Sequence, residues 1–274
     1  MKSTSNFTEG IFRYRKREGV EYAESQLFDG IRGVAHAFIT RRCTVNGVDL
    51  PRFTFSSREG DSPEIVAESW RRLSEAFEIP ADRFISLRQV HGTKIIVPED
   101  VGRKGNPPVF QGDGLATALR GVALSIRTAD CVPLLLFDPR RCVVAAIHAG
   151  WRGTAAGIAK ASVDLIVSRF GSDPGDLMAL LGPAVGPCCY EVDGPVIDAF
   201  KNHERLTDIM IDGCDGKARL DLEGANAVQL VGAGLDPARI DRAGICTACT
   251  TTHFFSHRKE GKKTGRQLNF IMLY

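Results

Sequence analysis

The chain has almost no charge imbalance. Its 274 residues carry 35 lysines and arginines against 33 aspartates and glutamates, a net charge of +2. Nucleic acids and anionic membranes recruit proteins through a basic excess, so neither is expected as a partner. Two local basic runs, Arg13-Tyr14-Arg15-Lys16-Arg17 and Arg258-Lys259 with Lys262-Lys263, read as solvated faces. No apolar run approaches the roughly 18 residues that a membrane helix needs. The first ten residues are polar and lack the apolar core of a secretory leader. Internal repeats, low-complexity segments and a convincing linker are missing as well.

Cysteine, by contrast, is not scarce. Eight are present, two of them adjacent at Cys188 and Cys189. With no leader to send the chain to an oxidising compartment, they read as reduced thiols in a cytoplasmic protein. The 43% hydrophobic content supports a full core, and residues 1–274 read as one domain, monomeric or homodimeric.

Several stretches carry a strand pattern: Val34–Thr40, Phe53–Phe55, Phe84–Val90, Thr93–Val97, Gly121–Arg127, Leu177–Leu181 and Gln267–Leu273. Asp61 or Ser62 with Pro63 predicts a helix start, and Val66, Trp70, Leu73 and Phe77 give it a buried face. Gly102–Asn106 predicts a loop and Gln111–Gly114 a tight turn. Thr154 is the expected cap of a long helix with Ile158, Ala161 and Leu165 inward and Gly171 beyond its end. Val192–Phe200 and a segment capped by Asp221 predict two more helices, and Asp236–Ile245 a connector. Strands and helices mix without strict alternation. That favours mixed sheets with helices outside over a doubly wound parallel sheet.

The chemistry concentrates between Thr128 and Gly153. Two apolar runs, Val132–Phe137 and Val143–Ile147, flank the turn-like Asp138–Arg141. Paired antiparallel, they bring Cys131 beside His148. His91 lies at a third strand end, before Gly92. Two imidazoles and a thiolate form a three-ligand zinc set with one position open. Asp130 reads as the group that orients a ligand histidine, while Gln89, Asp113 and Arg152 read as contacts to substrate or water. Asp130 or Asp113 is the expected general base. Cys246-Thr247-Ala248-Cys249 is a CxxC with His253 four residues on, but with no partner pair it reads as a strand-end and a loop cysteine before a second zinc or redox site. Cys188 and Cys189 read as packing or pocket wall.

Five motifs sharpen this picture: Gln89-Val90-His91-Gly92, Thr128-Ala129-Asp130-Cys131-Val132-Pro133, His148-Ala149-Gly150-Trp151-Arg152-Gly153, Gly182-Pro183 with Cys188-Cys189-Tyr190-Glu191-Val192, and Phe255-Ser256-His257-Arg258 with Gly265-Arg266. In this order they resemble the YfiH/laccase-domain family. The resemblance implies a layered α/β/β/α sandwich with mixed sheets, an α+β (mixed α/β) fold. It implies a zinc-dependent purine nucleoside phosphorylase acting with phosphate on adenosine, inosine, guanosine and methylthioadenosine, with adenosine deaminase activity besides. It places the metal ligands on His91, Cys131 and His148, makes Cys131, His148 and Asp130 the catalytic candidates, and raises Arg41 and Arg258 as phosphate-gripping residues over Arg266.

The same residues admit two other activities, each with a counterpart among the family's assigned roles. One is amide hydrolysis on a peptidoglycan precursor, with Cys131 as nucleophile and His148 as base. The other is copper-dependent polyphenol oxidation, whose full copper set uses about ten histidines together with a cysteine. This chain has six, His36, His91, His148, His203, His253 and His257, so zinc is favoured over copper. The family's usual Gly-rich segment after the first strand, its L-N-L segment and the asparagine of the next helix are replaced here by Thr40–Val45, Phe53–Phe55 and Glu68-Ser69-Trp70. Substrate choice is the property these departures would affect.

Overall fold

The computed structural model describes residues 12–56, 61–101, 110–201, 209–213 and 215–274. Its centre is the Val132–Asp138/Val143–Ala149 hairpin, paired antiparallel with Val132 opposite Ala149 and Pro133 opposite His148. Every residue of both strands is buried. Such burial on two faces explains the unbroken apolar runs. Leu134 and Leu136 point into one core, Leu135 and Phe137 into another.

Three sheets are present among the described residues. The hairpin belongs to a six-stranded sheet ordered Ile240–Arg242, Met178–Leu181, Val132–Asp138, Val143–Ala149, Gly114–Thr117, Ile95–Ile96. An eight-stranded sheet runs Phe12–Arg17, Val20–Ser25, Val34–Val45, Gln267–Leu273, Ala123–Thr128, Phe84–Arg88, Phe110–Gln111, with Val48–Asp49 attached to its third strand. Both contain parallel and antiparallel pairs. A small sheet joins Glu191–Val192, Ala218–Leu220 and Met210–Asp212.

The large sheets face each other across Phe38, Leu124, Ile126, Leu135, Val144, Leu180 and Ile271. Outside the eight-stranded sheet, helix Pro63–Phe77 buries Leu73, Ala76 and Phe77 against Ile39, Leu268 and Phe270. Outside the six-stranded sheet, helices Ile158–Phe170, Gly194–Lys201 and Leu222–Gly232 cover Leu134, Leu136 and Ile147. The layers are therefore helix, sheet, sheet, helices, as the resemblance implied. Among the described residues, no helix is long and apolar enough to cross a membrane.

Several local expectations needed correction. Arg13–Arg17 is not a free basic face but part of an edge strand, with Arg13 and Arg15 both paired to Glu24. Phe53–Phe55 forms no strand. Its aromatic rings are buried, yet its amides bond to the Ser69 hydroxyl and the Arg266 carbonyl. Thr93–Val97 shortens to Ile95–Ile96. Thr154 lies inside a short helix, Trp151–Ala155, and accepts a hydrogen bond from Asn226. The long helix begins later, after Gly157, whose φ of 82° breaks the run. Ser62, rather than Asp61, caps the first long helix. The Asp236–Ile245 connector contains the strand Ile240–Arg242, parallel to Met178–Leu181. The expected loop Gly102–Asn106 lies outside the described residues.

Candidate active site

The hairpin register fixes two of the three candidate ligands. Cys131 precedes the first strand, and His148 is the penultimate residue of the second. The next strand in the sheet, Gly114–Thr117, pairs Gly114 with Ile147, which sets Asp113 beside His148. The His148 amide donates to the Asp113 carbonyl at 2.7 Å, and His148 Nδ1 lies 2.9 Å from Asp113 Oδ1. That contact commits Nδ1 to the carboxylate and leaves Nε2 for a ligand.

Asp113 holds His91 too. Its carboxylate accepts the amides of His91 at 2.8 Å and Gly92 at 2.7 Å, with Val90 at 3.2 Å. These bonds retain His91 at φ 61°, a left-handed backbone that a non-glycine residue adopts only at a cost. One fully buried carboxylate thus sets both histidines. The donor atoms of His91, Cys131 and His148 all lie within 4.8 Å of one another. A Cβ at Gly150 would stand 3.0 Å from the His91 ring and 3.1 Å from Cys131 Sγ, so the missing side chain keeps the space between the donors clear.

The charges are coupled. Burial pushes the Cys131 thiol up, but the His148 charge and hydrogen bonds from His148 and His91 outweigh it and lower the thiol to about 6. Burial pushes His148 down, whereas the Cys131 charge and the Asp113 hydrogen bond raise it to about 9. Without a metal, the pair is a thiolate beside an imidazolium at neutral pH. A thiolate and two imidazoles suit zinc as donors, so the residues present fit the ion.

The three side chains open into a cavity of about 720 Å³, a size suited to a small organic ligand. Four arginines line it, Arg127, Arg152, Arg258 and Arg266, together with Trp151, Tyr190 and His257. The Arg152 guanidinium stacks 4.2 Å from the Trp151 ring centre. Arg258 lies over Tyr190 and donates to the Glu191 carbonyl at 2.8 Å. Burial raises the Tyr190 hydroxyl, which stays protonated and can donate.

The other expected site residues separate into two groups. Arg152 and Arg258 are in the cavity wall. Gln89 is there too, but its amide is engaged at both ends, donating to the Arg127 carbonyl and accepting the Arg127 amide. Asp113 is fully buried and touches His148 instead of the cavity, so the expected substrate contact is replaced by a ligand-orienting one. Asp130 lines the cavity but does not orient a ligand histidine. Its carboxylate accepts the Thr247 hydroxyl at 2.7 Å and the Arg258 amide at 2.6 Å. Arg41 is not in the wall; it pairs with Glu260 at 2.6 Å and stacks on Phe255. Tyr190, His257, Trp151 and Arg127 had no assigned role in the sequence reading. The first three lie inside the motifs quoted above, which was the available signal.

A half-buried thiol and two imidazoles at one sheet end, facing an arginine-rich cavity, define a candidate metal-dependent site on an α/β/β/α sandwich. The chain belongs to the family described as Multi-copper polyphenol oxidoreductase laccase, whose family model matches residues 35–274. It is 38% identical over 219 residues to purine nucleoside phosphorylase YlmD of Geobacillus stearothermophilus, covering 77% of this chain and 80% of that one. It is 34% identical to adenosine deaminase RL5 of an unknown prokaryotic organism, over 92% of this chain and 98% of the relative. The crystal structure of Bacillus licheniformis hypothetical protein YfiH superposes with a TM-score of 0.84 at 30% identity, covering 95% of this chain and 99% of that one.

Proposed function

We propose that the chain is a zinc-dependent purine nucleoside phosphorylase that also deaminates adenosine. The observation that carries this reading is the convergence of His91, Cys131 and His148 on an arginine-lined cavity. The names of the relatives support the purine nucleoside class; within it, adenosine, inosine, guanosine and methylthioadenosine are the substrates we propose. His91, Cys131 and His148 would hold the zinc, which would supply a Lewis acid at this end of the cavity.

The chain's own groups would do the rest. Asp113 fixes the His148 tautomer and the His91 backbone. Arg152 and Arg258 hold phosphate, and Trp151 with Tyr190 flanks the purine. In phosphorolysis a phosphate oxygen bonds to the sugar carbon as the carbon–nitrogen bond breaks, and the purine leaves with a proton. In deamination water adds to the amine-bearing ring carbon and ammonia departs. Asp130 acts through its bond to the Arg258 amide, as a positioning residue and not as a general base.

A second reading rests on the Cys131–His148 ion pair, a nucleophile and base of the kind that cleaves amides such as those of a peptidoglycan precursor. Metal content separates the two, because a coordinated thiolate is not free to attack. Polyphenol oxidation finds less support. His36 accepts the Ser25 amide and His253 pairs with Glu21, so neither joins the site.

The test measures zinc per chain and phosphate-dependent release of free base from each nucleoside, in wild type and Cys131→Ala. The reading expects near-stoichiometric zinc at this site and loss of both site metal and turnover in the variant. Absence of turnover on every nucleoside by a zinc-loaded wild type would overturn it.

A further inference from the structure

A second cluster of metal-binding side chains lies apart from His91, Cys131 and His148. The sulfurs of Cys188, Cys189, Cys246 and Cys249 all lie within 4.8 Å of one another. Cys249 Sγ is 3.4 Å from Cys189 Sγ and 3.6 Å from Cys188 Sγ. In a tetrahedral zinc site with Zn–S bonds of about 2.3 Å, neighbouring sulfurs stand about 3.8 Å apart. The observed separations are close to that spacing and well beyond the roughly 2.05 Å of a disulfide bond.

The backbone builds the cluster from two loops. An isolated bridge between Ala184 and Cys246 joins them, with hydrogen bonds from Ala184 to Ile245 and from Thr247 to Ala184. Each loop then turns tightly. Cys189 and Tyr190 amides donate to the Gly186 carbonyl, and Cys249 and Thr250 amides donate to the Cys246 carbonyl. The Gly186 amide donates to Cys246 Sγ at 3.2 Å, a contact that stabilises thiolate charge. A Cβ at Gly186 would meet Cys246 Cβ at 3.2 Å and Cys188 Sγ at 3.4 Å. A side chain there would press on cysteines of both loops, and glycine avoids that contact. The Arg219 guanidinium, on the Cys188 carbonyl at 3.2 Å, offers positive charge beside a site that four thiolates would leave negative.

We propose that Cys188, Cys189, Cys246 and Cys249 form a structural zinc site with four thiolate ligands, distinct from the candidate catalytic centre. Four protein ligands leave no open position, so the site holds structure and does no chemistry. Each thiol releases its proton to solvent on binding. What it fastens is the cavity wall. Val185 and Tyr190, on the first loop, line the cavity. Thr247, on the second, bonds Asp130, which in turn holds the Arg258 amide.

The test uses the full chain purified under reducing conditions and loaded with zinc alone. Zinc is counted in wild type, in Cys131→Ala and in the double variant Cys246→Ser/Cys249→Ser. The expected counts are two, one and one per chain, from the two clusters. X-ray absorption at the zinc edge of Cys131→Ala should give four sulfurs at about 2.3 Å. This last reading needs no cysteine of the second cluster changed, so it stands if the double variant fails to fold. Should wild type bind one zinc with an all-sulfur shell, the inference holds and the His91–Cys131–His148 assignment fails. A zinc-free Cys131→Ala, a shell of mostly nitrogen and oxygen, or an intact mass showing these cysteines disulfide-bonded in the reduced protein would overturn it.

Discussion

Asp113→Asn is the sharpest perturbation of the candidate catalytic centre. The carboxylate is fully buried and accepts His148 Nδ1 together with the amides of residues 90, 91 and 92. Asparagine has nearly the same shape, but one of its two acceptor atoms becomes a donor facing donors. A buried donor left unpaired costs about 1–3 kcal/mol, so a loss of stability in that range is expected. The effect on metal is more specific. Loss of a partner that orients a ligand histidine lowers metal affinity about 10–100-fold, equal to about 1.4–2.7 kcal/mol. Zinc competition against a chromophoric chelator measures it directly. Asp130→Asn is the control: its carboxylate serves Thr247 and Arg258, so zinc affinity should stay within about threefold of wild type. If folded Asp113→Asn binds zinc as tightly as wild type, Asp113 does not set the ligand geometry.

Gly150→Ala should reduce zinc occupancy at this centre, because the added methyl meets the His91 ring and Cys131 Sγ at 3.0 and 3.1 Å; metal counting on folded protein checks it, and unchanged occupancy would contradict the crowding argument. Leu135→Ala, between the two large sheets and fully buried, should cost about 2–5 kcal/mol in denaturant unfolding while zinc stoichiometry at 25 °C is retained. In metal-free protein the Cys131 and His148 contributions nearly cancel between about pH 6.5 and 9, so stability should stay almost level there. The Cys131 contribution, from a lowered thiol, is full above its unfolded range and is lost as pH falls through about 6. The His148 contribution, from a raised imidazole, is full below its unfolded range and is lost as pH rises through about 9. Chelator-treated Cys131→Ser lacks the thiol's offset and should lose stability with rising pH where wild type stays level; a profile as level as wild type's would show that the ion pair does not form. Arg152→Ala should raise the phosphate KM more than it lowers kcat, since its guanidinium stands on the cavity wall without an ion pair among the described residues.

The central hairpin was readable from the chain because burial on both faces leaves an unbroken apolar run, and the Asp138–Arg141 turn sets its register. Cys131 and His148 follow from that register alone. Asp113 could not be placed in the same way. Its role depends on Gly114 pairing with Ile147, a long-range register that no local pattern carries. Arg41 looked like a phosphate ligand from its motif position, yet Glu260, far along the chain, claims it. The strand Phe12–Arg17 was hidden because its arginines read as solvent-facing until Glu24 is seen between them. Phe53–Phe55 misled in the opposite sense, since buried aromatics mimic a strand whose amides in fact bond to Ser69 and Arg266. Cys246 and Cys249 seemed to lack a partner pair because Cys188 and Cys189 reach them only through the Ala184–Cys246 bridge.

Everything proposed for the cavity requires that His91, Cys131 and His148 share one ion. Anomalous diffraction from a zinc-loaded crystal at the zinc edge tests it most directly. A peak is expected about 2.0–2.1 Å from one nitrogen of each histidine and about 2.3 Å from Cys131 Sγ. A fully loaded crystal with no peak there, or with a peak that leaves any of the three side chains out of bonding distance, would contradict it.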